Sequence, residues 1–228
     1  DISIYLYQFS CAIKSSVNEI VNDDGRVITH IQAVLSKALG MIKKRMKPVF
    51  IFDGKPPELK KQVLDDRNNK KKTAEKNIKK LHKKIFKLQS QIQNMPETVE
   101  EVETHKNIIK ELKELNIERV KCQKQTTSIS RNQMNECKEL LNILGIPIIE
   151  SISEADPQCA YMVKTNLAYA VASEDMDILT FGANKLVRKL SAKNQCILYD
   201  LDIILKDMDV SYEQFVDLCI MCGCDYCT

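Results

Sequence analysis

Apolar positions recur at helical spacing through residues 2–14 (ISIYLYQFSCAIK) and 28–46, and a polar NDDGR turn carrying Gly25 separates the two runs. The period then changes. Lys47 to Phe52 (KPVFIF) is a short β-branched and aromatic run closed by Asp53-Gly54 and a proline pair, which predicts a buried parallel strand meeting its C-terminal loop. Two similar units follow. IPIIE at 146–150 comes after the helical NECKELLNILG, and LAYAVAS at 167–173 comes after a helix containing CAYMVK. This alternation predicts an α/β fold with a mainly parallel central sheet flanked by helices. In such sheets ligands bind beyond the carboxyl ends of the strands.

Residues 60–130 have a different character. Ile78, Leu81, Ile85, Leu88 and Ile92 recur at alternating spacings of three and four, and after Pro96 a weaker stripe of Val102, His105, Ile109 and Leu112 repeats the pattern. The segment reads as a long helical hairpin inserted into a single domain spanning 1–228, with Thr98 and Glu101 as a capping box for its second helix. Its first arm is basic (Lys70, Lys71, Lys72, Lys76, Lys79, Lys80, Lys83, Lys84, Lys87). The second carries Glu100, Glu101, Glu103, Glu111, Glu114 and Glu118. Opposite charge favours pairing of the arms, although exposed ion pairs contribute little each. A long helical excursion of this kind serves as an arm, a lid or a partner contact.

Composition adds a few bounds. With 228 residues and 44% hydrophobic content the chain can bury a substantial core. A net charge of +3 does not by itself announce a nucleic-acid binder, but lysines crowd residues 43–87 while carboxylates cluster elsewhere, an asymmetry suited to a polyanion. Nine cysteines without a regular framework, and no signal peptide, read as reduced thiols in an intracellular protein. No apolar stretch approaches the roughly 20 residues that span a bilayer, so a soluble protein is expected. The chain opens at Asp1 rather than Met, directly before an apolar segment, and reads as a trimmed piece of something longer.

Seven carboxylates stand at five points, each after an apolar run: Asp1, Asp53 in FDGKPP, Glu154 and Asp156 in SEAD, Asp175 and Asp177 in SEDMD, and Asp225 in GCDY. Hard divalent cations take oxygen ligands, and strand-end acids of one sheet can hold two ions about 4 Å apart. Each acid also has a plainer reading. Asp175 and Asp177, placed on one face if the strand end is extended, could form an exposed acidic turn. Ser153 with Asp156 could cap a helix, and Asp53 could simply open a turn. The joint pattern favours metal, because such acids repel one another without a cation between them. Lys60 and Arg67 share a helix face near the Asp53 loop, as phosphate contacts or as solvated charge. Tyr7, on the first helix, could stack on a nucleobase or pack in the core. His30, His82 and His105 lack ligand spacing. Cys219, Cys222, Cys224 and Cys227 form a CxxCxCxxC run that resembles a zinc site, but Cys219 lies in the apolar helical FVDLCIM, where free buried thiols are ordinary.

Several of these motifs, in order and in register, resemble the flap endonuclease family of structure-specific 5′ nucleases: DISIYLYQF, KPVFIFDGKPPELK, NECKELLNILGIP, SEADPQCAYMVK, ASEDMDILTFG and EQFVDLCIMCGCDYC. The resemblance covers the chain except the arm, which would be an enlarged helical arch at 60–130 in a 5′-nuclease core truncated at both ends. It implies that Asp1, Asp53, Glu154, Asp156, Asp175, Asp177 and Asp225 bind two or more Mg²⁺ ions, with Mn²⁺ able to substitute. Lys60 and Arg67 would grip the scissile phosphate, Tyr7 would stack on a base, and Lys37 and Arg188 would contact substrate. The implied reaction is hydrolysis of DNA near a single-strand/double-strand junction in replication and repair, leaving a 5′ phosphate. Branched DNA with a 5′ flap is the implied partner, with a sliding clamp reached through a family C-terminal tail that these residues do not contain. A nuclear location follows for a typical eukaryotic source. Asp156 stands where the family usually has Glu, and Lys37 where relatives often have Arg. A related 5′–3′ exonuclease, and a noncatalytic nucleic-acid- or partner-binding protein on the same fold, stand as alternatives.

Overall fold

The computed structural model describes residues 2–16, 20–93, 102–190 and 195–226. The helices are α1 (Ser3–Ser16), α2 (Thr29–Lys43), α3 (Lys61–Gln93), α4 (Val102–Gln125), α5 (Arg131–Ile143), α6 (Ala155–Lys164), α7 (Leu201–Met208) and α8 (Tyr212–Cys222). The strands are β1 (Phe50–Phe52), β2 (Ile148–Glu150), β3 (Val171–Ala172), β4 (Lys185–Arg188) and β5 (Ile197–Asp200). They divide into two compact units. The first comprises residues 1–9, 20–63 and 129–228, and the second residues 10–19 and 64–128.

In the first unit β1 pairs in parallel with β2, Phe50 opposite Ile148 and Phe52 opposite Glu150. Parallel β3–β4 and antiparallel β4–β5 form a second small sheet. The expected parallel pairing is therefore carried on two short ladders. β1 starts at Phe50 rather than Lys47 because the Phe50 N–H bonds Pro147 O at 3.0 Å, and Pro147 has no N–H with which to extend the ladder. β3 is shorter than LAYAVAS because α6 ends in a turn with Asn166 at φ 60°, and the chain straightens only at Val171.

Alternation along β1 separates two apolar layers. Ile51 faces a core of Cys159, Val163, Val171, Ile178, Leu179, Leu186 and Phe215, whereas Phe50 and Phe52 face Leu6, Val34, Cys137 and Leu141. The strand is buried on both sides, as its uninterrupted FIF implies. α5 begins with a capping box in which Ser130 and Gln133 satisfy each other's backbone N–H, and Ser211 with Gln214 does the same for α8.

In the second unit α3 and α4 pack through Ala74, Leu81 and Cys122, with Ile78 and Leu115 against them. Ile85 is also buried, so the stripe read on the first arm is the buried one. On α4 the expectation needs correction. Ile109 is 44% exposed, and the packed positions are Leu115 and Cys122. Ile109 lies six residues before Leu115, a rotation of about 120° from its face on a 3.6-residue helix. Thr98 and Glu101 lie outside the described residues.

Candidate metal-binding site

The site grows from the C-terminal end of β1. Asp53 leaves the strand exposed, and its two oxygens accept from Ala155 N at 2.9 Å and from Ser3 Oγ at 2.6 Å. One carboxylate thus ties β1 to the first turns of α6 and α1. Gly54 N donates to Ser153 O at 2.6 Å, a close approach that holds the loop after β2 beside the loop after β1. At the start of α6 the N-cap position belongs to Glu154, whose side chain makes no capping bond. The Ser153–Asp156 capping alternative is therefore not what the chain adopts. Asp53 serves the Ala155 amide instead, leaving Glu154 and Asp156 to face the site.

Asp175 and Asp177 follow β3, but not on an extended strand. Asp175 Oδ1 accepts from Asp177 N at 3.0 Å, and a single 3₁₀ turn, Asp177–Leu179, follows. A short acid that bonds the backbone two residues on forms such a turn in preference to continuing a strand. Beyond α8, Gly223 at φ 107° turns the chain and delivers Asp225 and Tyr226. Lys60, at the end of the 3₁₀ turn Glu58–Lys60, joins these pieces. Its ammonium lies 2.5 Å from Glu154 Oε1 and 3.2 Å from Asp225 Oδ2.

The acids also act on one another through their charge. Burial, then Asp175 and Asp53, push the Asp156 carboxyl up to about 6, with Lys60 opposing. Burial, then Asp175 and Asp225, also raise Asp177. Burial pulls Lys60 down, but its bonds with Glu154 and Asp225 outweigh that and hold it above the ordinary lysine value. The set therefore carries more negative charge than its lysine balances. Among the described residues Asp156 Oδ1 is buried without a hydrogen-bond partner. An orphaned, desolvated carboxylate oxygen among like charges fits a hard divalent cation. Among the described residues no three acids, histidines or cysteines stand close enough together to hold one ion.

The remaining candidates fall elsewhere. Asp1 and Cys227 lie outside the described residues. Tyr7 is on α1 and 44% exposed. Lys37, on α2, donates to Leu190 O at 2.9 Å and stands 4.8 Å from the centre of the Tyr5 ring, and burial lowers its pKa. Arg188 ends β4 with Nε 3.6 Å from Glu174 Oε2, the residue before Asp175. Arg67 is exposed on α3 within the second unit. His30 is buried with Nε2 2.5 Å from Glu136 Oε2, and Cys219 and Cys222 sit on α8 as free thiols. A cavity of about 690 Å³ in the first unit is largely apolar, lined by Met46, Val49, Met162 and Val187 among others and by none of the site's acids. Sequence reasoning missed Tyr226, whose hydroxyl donates to Glu154 Oε2 at 2.5 Å. Its position next to Asp225 was the available signal.

Solved structures share the fold of this chain. The catalytic core of Rad2 in complex with DNA substrate has this fold, with a TM-score of 0.64 at 23% identity over 100% of this chain and 54% of that one. Flap endonuclease-1 from Methanococcus jannaschii gives 0.62 at 28% identity over 98% and 62%. The XPG N-terminal domain matches residues 1–74 and the XPG I-region residues 145–225. Flap endonuclease 1 of Zea mays is 34% identical over the whole chain and 54% of its own length, and that of Theileria annulata 36% over the whole chain and 40%. The chain belongs to the flap endonuclease family. It spans about half or less of the length of these curated relatives. Among the described residues no helix is long and apolar enough to cross a membrane.

Proposed function

We propose that these residues are the nuclease core of a divalent-metal-dependent, structure-specific 5′ flap endonuclease acting on branched DNA in replication and repair. The observation that carries the reading is the buried, unpartnered Asp156 Oδ1 within the charge of Asp53 and Asp175, beside a Lys60 that bonds Glu154 and Asp225. These acids, with Asp1 and Asp177, are the residues that would hold Mg²⁺ or Mn²⁺. A bound divalent cation in such a site acidifies water and stabilises a leaving oxygen. The chain's own groups do the rest. Asp53, bonded to Ala155 N and Ser3 Oγ, fixes the loop geometry on which the other acids depend. Lys60 stays protonated across neutral pH and supplies positive charge for a phosphate whose charge grows as the ester is hydrolysed to a 5′ phosphate and a 3′ hydroxyl. Exposed Tyr7 offers a stacking face and Lys37 and Arg188 are further substrate contacts, while in the second unit Arg67 and the lysines of α3 are cations that suit a polyanion.

The test is cleavage of a 5′-labelled flap duplex by the full protein with Mg²⁺, beside Asp175→Ala and an EDTA control. Cutting at the junction that disappears in both controls is the expected result. Tight flap binding without cutting would overturn the nuclease reading in favour of a binding protein, and preferential degradation of blunt or nicked duplex would assign exonuclease activity.

A further inference from the structure

The aspartates of the site that bond backbone take their orientation from it: Asp53 accepts from Ala155 N, and Asp175 from Asp177 N. Glu154 has one more rotatable bond and no capping bond of its own. Its oxygens are instead placed by two side chains. Lys60 Nζ takes Oε1 at 2.5 Å, and the Tyr226 hydroxyl donates to Oε2 at 2.5 Å. The Tyr226 ring is itself anchored, edge-on to Phe181 with centroids 6.5 Å apart and planes at 80°, and Phe181 packs on the apolar core. The Lys60 ammonium lies 5.5 Å from the centre of the same ring.

We propose that Tyr226 is a positioning residue, fixing the Glu154 carboxylate with its hydroxyl and the Lys60 ammonium with its ring face. A phenol bonded to a carboxylate is a short, charge-assisted contact that holds the acceptor oxygen without neutralising it. The carboxylate therefore keeps its charge for a cation while losing rotational freedom. The ring attracts the ammonium through its face, so one residue sets the spacing between the acid and the base of the pair. The inference rests on the proposed function only where it concerns DNA.

The test is Tyr226→Phe in the full protein, which deletes the hydroxyl and keeps the ring. Mn²⁺ binding to metal-stripped protein, followed by the spin resonance of free Mn²⁺, is expected to weaken by about tenfold, the usual effect of losing a partner that orients a ligand. On a flap duplex at saturating Mn²⁺, kcat should fall while KM for DNA is unchanged. Mn²⁺ affinity equal to the wild type would overturn the proposal. Phe181→Leu is the packing control, because it loosens the ring and keeps the hydroxyl. A loss of Mn²⁺ affinity as large as in Tyr226→Phe would assign the effect to packing and equally overturn the proposal. A wild-type protein that binds Mn²⁺ but does not cut flaps would sink the nuclease reading alone, since the comparison of Mn²⁺ affinities does not depend on cleavage.

Discussion

Gly54 and Ser151 meet backbone to backbone: a methyl group on Gly54 would fall 2.0 Å from the Ser151 carbonyl oxygen and 2.8 Å from that of Ile152. Both neighbours are main chain, so neither can swing aside. Gly54→Ala must then push apart the loops that follow β1 and β2, and with them Asp53 and Glu154. We expect a stability loss of about 1–3 kcal/mol or more, the range for forcing atoms into packed space. Urea denaturation measures it, and unaltered stability would show that the loops can separate freely.

Lys60 is the cation that holds Glu154 and Asp225 together. Lys60→Met removes its charge and both its hydrogen bonds, leaving two partly buried acids facing each other. In metal-free protein the loss should be about 1–3 kcal/mol. Added Mg²⁺ should recover more stability in the variant than in the wild type, because the cation then relieves repulsion that the lysine no longer offsets. Unfolding midpoints with and without Mg²⁺ decide this, and an equal Mg²⁺ effect in both proteins would contradict it.

The packing of α3 on α4 makes a contrast within the second unit. Leu81 is 5% exposed beside Ala74 and Cys122, and Leu81→Ala should cost about 2–5 kcal/mol of local stability. Ile109→Ala should change little, since Ile109 is already 44% exposed. Hydrogen exchange of α3 and α4 amides reads both, and equal loss of protection in the two variants would contradict the packing register.

Glu136 makes a pH-dependent contribution away from the acid cluster. It accepts from Arg26 and lies 2.5 Å from His30 Nε2, and the bond with His30, with Arg26 adding to it, holds its carboxyl below the ordinary 4.5. The folded state therefore binds this proton less readily than the unfolded chain. Its stabilisation is present in full above the unfolded value and is lost as pH falls through the lower folded one. The gap in melting temperature between wild type and Glu136→Gln should be widest at neutral pH and close in acid. A gap that widened in acid would reverse the sign.

Periodicity made most of the frame legible. KPVFIF, IPIIE and LAYAVAS each contain a strand, because a short apolar run between helix and turn has few other uses. β4 and β5 escaped notice since Lys185 and Arg188 break up KLVR, and Ile197 and Leu198 on β5 are partly exposed. The candidate acids stand out in the sequence as charges that follow apolar runs. Their supports were not. The bonds from Ala155 N and Ser3 Oγ to Asp53, and from Tyr226 to Glu154, join residues up to 102 positions apart, and no local pattern records such contacts. Asp175 and Asp177 were placed correctly beyond β3 but on the wrong backbone, because a turn closed by an aspartate side chain and an extended end both leave two acids near each other.

The contacts of Lys60 also set an order in time. Synthesis proceeds from the N-terminal side, so a nascent chain acquires Asp53 and Lys60 long before α6 emerges, and Asp225 and Tyr226 only after α8. Until then Glu154 has the lysine but lacks the hydroxyl that fixes its second oxygen. On the ribosome, a half-made domain would hold Glu154 by one side chain, and the second hold arrives only with the last residues described.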